Sequence, residues 1–563
     1  MNFSLILKTF RILSKHRPGR LFLLSFLTLF QGMNTGFSIV LLIPLLQLLN
    51  TAAEGLPEGI TGFFRTVSDR SGIPLSVETI LIIYVIILSV NALVQYWKTV
   101  LDTGYQVSLI HDARLRLFRK VILADWPLLN SRSRTNHIQV LIKEIPVLAN
   151  YYYYFLKLLT SLLMLAAFIC YALMISAKFT FIVIFAGSIL FFILRKFLIR
   201  SYNLGEAAID SYNRLLKYID DFWQSVKIAK VHSSEEFYYR KFNEANTSLL
   251  DIEYNIQKNY NLPQLIYRIA GILVLVTVIY AGYRTGDVPL AAFFILILLF
   301  AKIFPHFIAI NNDVSMLFSY LPSVKLVFKL DDEFPDSRFM KRPVGDSLSF
   351  KKEIELKNIS FSYSGGEHLF KNLNITIPAN KITGITGVSG IGKTTLIDII
   401  SGLQKPVSGN IFIDGQILDE HMIPSWKSAI GYLPQDPFFI DGTIRENLVW
   451  DSNSIVSDID IMKVLESVNA EHLVNRFKEG LDAFIVNYTS CFSGGECQRL
   501  ALARVLIRQP GILLLDEATS SLDSDNEAII MDVIEKISAR VTVIFVTHRL
   551  SLIPYFNKII KLT

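Results

Sequence analysis

Six apolar runs, each long enough to cross a bilayer, crowd the first 310 or so residues of this 563-residue chain, at roughly 21–46, 79–100, 147–176, 180–199, 263–283 and 290–309. A hydrocarbon core about 30 Å thick needs about twenty apolar residues in helical form. Within it every backbone donor and acceptor must pair inside its own segment, so these runs predict helices rather than open strands. Two connections are only a few residues, Ala177-Lys178-Phe179 and Gly286-Asp287-Val288, while those after residue 100 and over 200–261 are long and charged. Lys8, Arg11, Lys15, Arg17 and Arg20 precede the first run, and Arg114, Arg116, Arg119, Lys120, Arg132 and Arg134 fill the first long connection. The excess of Lys and Arg places both termini and both long connections in the cytoplasm. Residues 1–330 are therefore expected to form a membrane α-helical bundle of six transmembrane helices with long cytosolic extensions. The first run is too long for a signal peptide and lacks a small-residue cleavage site.

Composition agrees with this division. A hydrophobic content of 52% is too high for a soluble enzyme, and the net charge of +6 is accounted for by membrane-flanking bases. No basic stripe interleaved with aromatics occurs, so nucleic acid is not an expected partner. Cys170, Cys491 and Cys497 have neither a disulfide framework nor zinc spacing, and the last two lie beside a phosphate-binding motif, as befits reducing cytosol. Within the runs the formal charges away from the ends are basic: Lys157, Arg268 and Lys302. Facing lipid, each would cost about 2.5 to 3.5 kcal/mol, which favours a lining or packed position. Snorkelling toward a headgroup is the alternative for Lys157 and Arg268. Lys302, followed by the kinking Pro305 and by His306, is expected to face a cavity. A lining with bases and no acids would select an anionic substrate.

From about 331 to 350 the chain turns polar, a linker to a second domain at 351–563. There 354–361 and 375–385 read as strands, and the second runs into Gly387-Val388-Ser389-Gly390-Ile391-Gly392-Lys393-Thr394-Thr395. Strand, glycine turn and helix make a P-loop: backbone N–H groups ring a nucleotide's phosphates, Lys393 meets the β/γ-phosphates, and the Thr394 hydroxyl serves Mg²⁺. Ile512-Leu513-Leu514-Leu515 delivers Asp516 and Glu517 to a strand end, the first suited to the Mg²⁺ shell and the second to polarising a water. Gln435 follows the short strand Ile430–Leu433 and can give an oxygen to Mg²⁺. His548 follows the strand 541–546 and can reach a γ-phosphate. Ser493-Gly494-Gly495 opens another helix and is a second anion site. One nucleotide needs one such cradle from each side, so the simplest use of both is a sandwich between two copies.

These motifs, in this order, resemble those of the ABC transporters, specifically exporter-type half-transporters with six spans ahead of one α/β P-loop NTPase domain of ABC type. The resemblance implies that Tyr363 stacks on adenine, that Gly387 to Thr395 is the Walker A loop, and that Gln435 is the Q-loop glutamine. It likewise implies that Ser493-Gly494-Gly495-Glu496 is the signature, Asp516 and Glu517 the Walker B pair, Ser521-Leu522-Asp523 the D-loop and His548 the switch histidine. By the same likeness 126–133 and 211–219 would be coupling helices. Phe492 and Glu496 stand where Leu and Gln are usual, and Asn487 where exporters commonly carry Glu.

The expectation is thus an ATP- and Mg²⁺-dependent ATPase that drives export or flipping of a lipid, lipid-linked or other anionic amphiphile. It is expected in the plasma (bacterial inner) membrane, working among lipids as a homodimer, with a heterodimer as the alternative. Drug or small-peptide export and an ATP-gated channel are the rival readings. A soluble-type ABC ATPase is opposed by the spans, and uptake by the fusion of membrane and ATPase parts. No peptidase-like segment precedes the first run, so peptide maturation coupled to export is not expected. A terminal helix common in relatives is not expected either.

Overall fold

The structure is a computed structural model that describes residues 18–40, 76–130, 134–285, 290–334, 350–363, 366–450, 456–519 and 524–562. The chain divides by contact into two compact units, Met1–Ala124 with Arg132–Asp336 and Asp125–Ser131 with Ser337–Thr563.

The first unit is helical: α1 (Pro18–Val40), α2 (Val77–Ile122), then, beyond α3 (Trp126–Asn130) of the second unit, α4 (Arg134–Gln139), a π-turn (Val140–Glu144), α5 (Ile145–Ile175), α6 (Ala177–Val231), α7 (Glu235–Thr285) and α8 (Leu290–Glu333). Five stretches among the described residues are long and apolar enough to cross a membrane: Val77–Ile122, Arg134–Ile175, Ala177–Val231, Glu235–Arg284 and Phe293–Glu333. Helix α1 is continuous over Pro18–Val40 and carries the polar Gln31 and Asn34, and the expected run to residue 46 continues outside the described residues. At 55 residues α6 is about 80 Å long at 1.5 Å per residue, far more than the ~30 Å a bilayer core needs. The second expected coupling segment, 211–219, is corrected here: it is the interior of α6, and the chain turns back at His232-Ser233-Ser234. Helical periodicity runs unbroken through 211–219, and no capping or breaking residue stops it.

Small and polar residues join these helices. Ser201 Oγ and Ser315 Oγ are 2.7 Å apart, and Asn259 Nδ2 donates to Ser201 Oγ at 2.8 Å and to Phe197 O at 3.0 Å, so α6, α7 and α8 share one buried network. One turn along, a Cβ on Gly205 would overlap the Ser319 carbonyl. Close backbone approach with polar bonding is how helices associate where lipid removes the hydrophobic drive.

The second unit is α/β. Strands β1 (Glu353–Phe361), β2 (Phe370–Pro378), β4 (Ser408–Ile413) and β5 (Gln416–Ile417) form an antiparallel sheet in the order β2-β1-β4-β5. A second sheet has the order β11-β3-β10-β9-β6 and is parallel, from β3 (Ile382–Thr386), β6 (Ile430–Leu433), β9 (Ile512–Asp516), β10 (Thr542–Val546) and β11 (Lys558–Lys561). The helices are α9 (Lys393–Ile400), α10 (Ile423–Ala429), α11 (Ile444–Leu448), α12 (Asp458–Ser467), α13 (Glu471–Asn475), α14 (Tyr488–Cys491), α15 (Gly494–Ile507) and α16 (Ser524–Ser538), and β7 (Gly442–Thr443) pairs with β8 (Phe484–Ile485).

Alternation along the parallel strands sorts the packing. Ile512, Leu514, Ile544 and Val546 pack with α9 and the antiparallel sheet. Leu513, Leu515, Val543 and Phe545 pack with α12, α15 and α16. Helices α9 and α15 therefore cover opposite faces of one sheet.

Replacing Gly205 by Ala is expected to lower the melting temperature of the full-length protein by several degrees, a steric cost of about 1–3 kcal/mol. Gly104→Ala, where nothing lies within 4 Å of an added Cβ, is the control that leaves it unchanged.

Candidate nucleotide site

The parallel register gathers the expected site residues at one edge. Val546 pairs with both Ile385 and Asp516, and Leu433 pairs with Leu515. The P-loop after β3, Glu517 after β9, His548 after β10 and Gln435 after β6 thus leave the same end of the sheet. Ligands of open α/β sheets bind at that end.

The P-loop turns through Gly390 (φ +83°) and Gly392 (φ +102°), and a Cβ on Gly392 would press on Leu369 and Phe370 at 2.9 Å. Only glycine suits that position, and the tight turn leaves room for phosphate. Lys393 Nζ donates to Gly387 O at 3.1 Å and Val388 O at 3.2 Å, arching over its own loop. It also lies 4.0 Å from Glu517 Oε1, which is 3.5 Å from His548 Nδ1. Glu517 reaches this place by leaving β9 at φ +49°, its N–H donating to Val546 O at 3.0 Å. A carboxylate between an ammonium and an imidazole can hold and polarise a water.

Asp516 is buried and takes a hydrogen bond from Thr394; burial raises its pKa while Thr394 and Lys393 oppose the rise. Asp398 on α9, which sequence reasoning passed over, is pushed up to about 6 by burial and then by Asp516. Thr394, Asp516 and the exposed Gln435 offer hard oxygen ligands, the donor set that suits Mg²⁺. Tyr363 is half-exposed, sits edge-on to Phe361 at 5.0 Å, and shares a 2.9 Å hydrogen bond with Thr395, so it stands over the start of α9. A cleft of about 490 Å³ opens beside it, with Asp125, Trp126 and Asn130 of the α3 segment on the other wall.

Ser493 and Gly494-Gly495 are elsewhere, at the start of α15 on the other face of the sheet. Ser493 caps the helix, accepting from Glu496 N at 3.3 Å, while Glu496 Oε2 accepts from Ser493 N at 2.7 Å. That capping box closes the serine down onto its own helix. Glu496 also accepts from Arg476 at 2.5 Å, a contact no local pattern announced. Burial works to raise the Glu496 pKa, but the Ser493 N–H and Arg476 outweigh it and hold it low. Ser521-Leu522-Asp523 lies outside the described residues.

The three membrane bases differ from one another. Lys157 is 3.7 Å from the fully buried Asp313, which also accepts from Ser161 at 3.2 Å. The expectation of a lining without acids is corrected at that position: Asp313 lies just past the sixth apolar run and is brought in by α8. Arg268 and Lys302 are exposed.

Residues 370–520 match the profile of the ABC transporter family. The full chain superposes on a solved structure described as a bacterial Atm1-family ABC exporter with ATP bound, at a TM-score of 0.79 over 98% of this chain and 94% of that one, with 17% identity. Residues 370–520 thus carry an ABC transporter domain, which follows a helical domain with five membrane-length apolar helices among the described residues. Among curated relatives, the heterocyst differentiation ATP-binding protein of Nostoc sp. is 29% identical over 343 residues, 60% of this chain and 56% of that protein. A multidrug resistance ABC transporter ATP-binding and permease protein of Lactococcus lactis is 34% identical over 216 residues, 38% and 37% of the two chains. The ATP-dependent lipid A-core flippase of Xylella fastidiosa is 25% identical over 385 residues, 68% and 65%. The chain spans about half the length of these relatives. The chain combines an ABC-type domain with a helical domain whose described helices are long and apolar enough to cross a membrane.

Because its folded pKa is depressed, Glu496 adds stability that is present above its unfolded pKa, near 4.5, and lost as pH falls through the folded value. Glu496→Gln keeps a capping side chain but drops the ion pair. The variant is expected to lose less of its melting temperature than the parent between pH 5 and pH 3, read by thermal unfolding (about one to two pH units around the carboxylate range).

Proposed function

We propose that this chain is an ATP-driven exporter or flippase that works as a homodimer in the plasma membrane and moves a lipid, lipid-linked or other anionic amphiphile. The observation that carries the reading is the placement of α9 and α15 on opposite faces of one sheet, each opening with an anion cradle. One copy cannot turn both cradles onto one nucleotide. Two copies facing head to tail can: the P-loop of each meets the Ser493-Gly494-Gly495 turn of the other, with two ATP molecules between.

In that arrangement Lys393 exchanges the carbonyls of Gly387 and Val388 for phosphate oxygens. Tyr363 stacks on the adenine. Glu517 accepts a hydrogen bond from the attacking water and aims it in line with the γ-phosphate, while His548 holds the Glu517 carboxylate and the phosphate edge. Ser493 and the N–H groups of Gly494 and Gly495 take up charge from the far side. Thr394, Asp516 and Gln435 would hold Mg²⁺, which when bound neutralises charge on the β- and γ-oxygens. Hydrolysis removes the shared anion, and the copies part. The α3 segment, seated beside Tyr363 in the ATP-binding unit, is the route by which this reaches α2 and α4.

The substrate class rests on charge. Arg268 and Lys302 lie exposed on membrane helices, where lipid contact would cost about 2.5–3.5 kcal/mol each, so a cavity or the second copy is their place. Lys157 is neutralised by Asp313 and does not add to the argument. A relative being a lipid A-core flippase supports a lipid-like substrate, and another being a multidrug resistance protein keeps drug export as the second reading. An ATP-gated channel is disfavoured because Glu517, His548 and Lys393 form a complete hydrolytic cluster.

Glu517→Gln is expected to retain ATP affinity and lower turnover by at least about 100-fold, with the ATP-bound dimer trapped closed in cross-linking between copies. Unchanged turnover removes Glu517 from the water-polarising role. Lys302→Ala is expected to abolish stimulation of the ATPase by anionic amphiphiles in lipid discs and to spare stimulation by neutral ones. Equal responses to both classes exclude Lys302 from substrate selection.

A further inference from the structure

A string of rings and guanidinium groups in the ATP-binding unit is left unused by the chemistry above. Phe439, four residues beyond Gln435, stacks on Tyr488 with centroids 4.7 Å apart and planes 6° from parallel. Tyr488 stacks in turn on Phe492 at 5.5 Å and 27°, and Phe492 immediately precedes Ser493. Each end of the string carries a cation. Arg504 lies 4.4 Å from the Phe439 ring and donates to Phe438 O and Asn447 O at 2.7 Å. Arg476 lies 5.3 Å from the Phe492 ring and pairs with Glu496, the carboxylate that closes the cap on Ser493.

Asn447, 1% exposed, fixes the middle. Its Oδ1 accepts from Ile440 N at 2.9 Å, and its Nδ2 donates to Ile440 O at 2.9 Å and to Tyr488 Oη at 3.1 Å. A second tie joins the same two loops, since Asp441 accepts from Asn487 N at 3.0 Å. Cation, ring, ring, ring and cation therefore run from the Gln435 loop to the signature cap through packed interior. Elements packed at interior density do not shift one at a time, so a displaced Phe439 moves Tyr488 and Phe492 with it.

We infer that Tyr488 is a positioning residue that transmits the state of the Gln435 loop to the Ser493 cap. Resting on the dimeric ATPase reading, this has a particular consequence. Gln435 serves the nucleotide on the chain's own P-loop and Ser493 the nucleotide on the partner's, so Tyr488 links the two ATP sites through one chain.

The test uses the full-length protein in lipid discs, with ATP affinity, kcat and the Hill coefficient for ATP measured on each variant. Tyr488→Leu, which keeps bulk and removes the stack, is expected to lower kcat about tenfold and bring the Hill coefficient to about 1, with ATP affinity within about twofold of the parent. Tyr488→Phe, which keeps the stack and loses only the Asn447 bond, is expected to keep most of both. Phe439→Leu combined with Tyr488→Leu is expected to be no worse than either alone, as for residues on one string. A Tyr488→Leu protein with parental kcat and Hill coefficient overturns the inference, and so do fully additive losses. Should Tyr488→Leu melt early, Phe439→Leu, at a partly buried ring, carries the same readout. A parent that hydrolyses no ATP overturns the dimeric ATPase reading itself, whereas an active parent matched by its variants overturns only the role of Tyr488.

Discussion

The parallel register of β3, β10 and β9 is the constraint on which the nucleotide chemistry depends. Val546 lies beside Ile385 on one side and Asp516 on the other, and this single alignment sets the spacing of the P-loop, the two carboxylates and His548. A slip of one residue would turn Asp516 to the other face. Burial prevents it: both faces of these strands are covered, one by α9 and the antiparallel sheet, the other by α12, α15 and α16, so every residue from Ile512 to Asp516 is buried. Glu517 is the first residue beyond β9, its N–H still bonded to Val546 O, and its positive φ turns the carboxylate toward Lys393 and His548.

The legible part of this site was local. Glycine turn, lysine and hydroxyl lie within one loop, and a buried strand run ending in Asp516 and Glu517 announces itself by its apolar residues. The Ser493 to Glu496 spacing is also a readable capping box. What was not legible needs the third dimension. Arg476 reaches Glu496 from the α13 end, α9 brings Asp398 within electrostatic reach of Asp516, and Asp313 meets Lys157 from another helix. None of these pairs shares a sequence period. The second cytosolic turn is hidden for the opposite reason: helical periodicity persists through 211–219, and nothing in it shows where the turn comes.

In the membrane unit the apolar runs were readable as helices, but not how they are held. Hydrophobicity does not distinguish a lipid-facing surface from a helix interface when the solvent is itself hydrocarbon. The distinguishing residues are the small and polar ones, Gly205 against Ser319 and Ser201 against Ser315 and Asn259, which join α6, α7 and α8. Near its far end α8 is also tied to α2, by the ion pair of Asp331 with Lys120 at 2.8 Å.

Rigidity in the ATP-binding unit gives the proposed cycle its direction. With α9 and α15 bound to opposite faces of one sheet through buried side chains, the P-loop and the signature turn of a single chain stay on opposite sides of it. In the proposed dimer the large movement that nucleotide binding drives is therefore between copies, the P-loop of one toward the signature turn of the other, with only the small adjustment carried by the ring string inside each copy. The free energy of the shared phosphate contacts is then expressed as relative motion of whole domains, and the elements seated on those domains must follow. Where closure is a rigid-body event, the segments able to respond are the few not built into the sheet. The loop bearing Gln435 is one of them, and the ring string through Tyr488 ties that loop to the cap on Ser493.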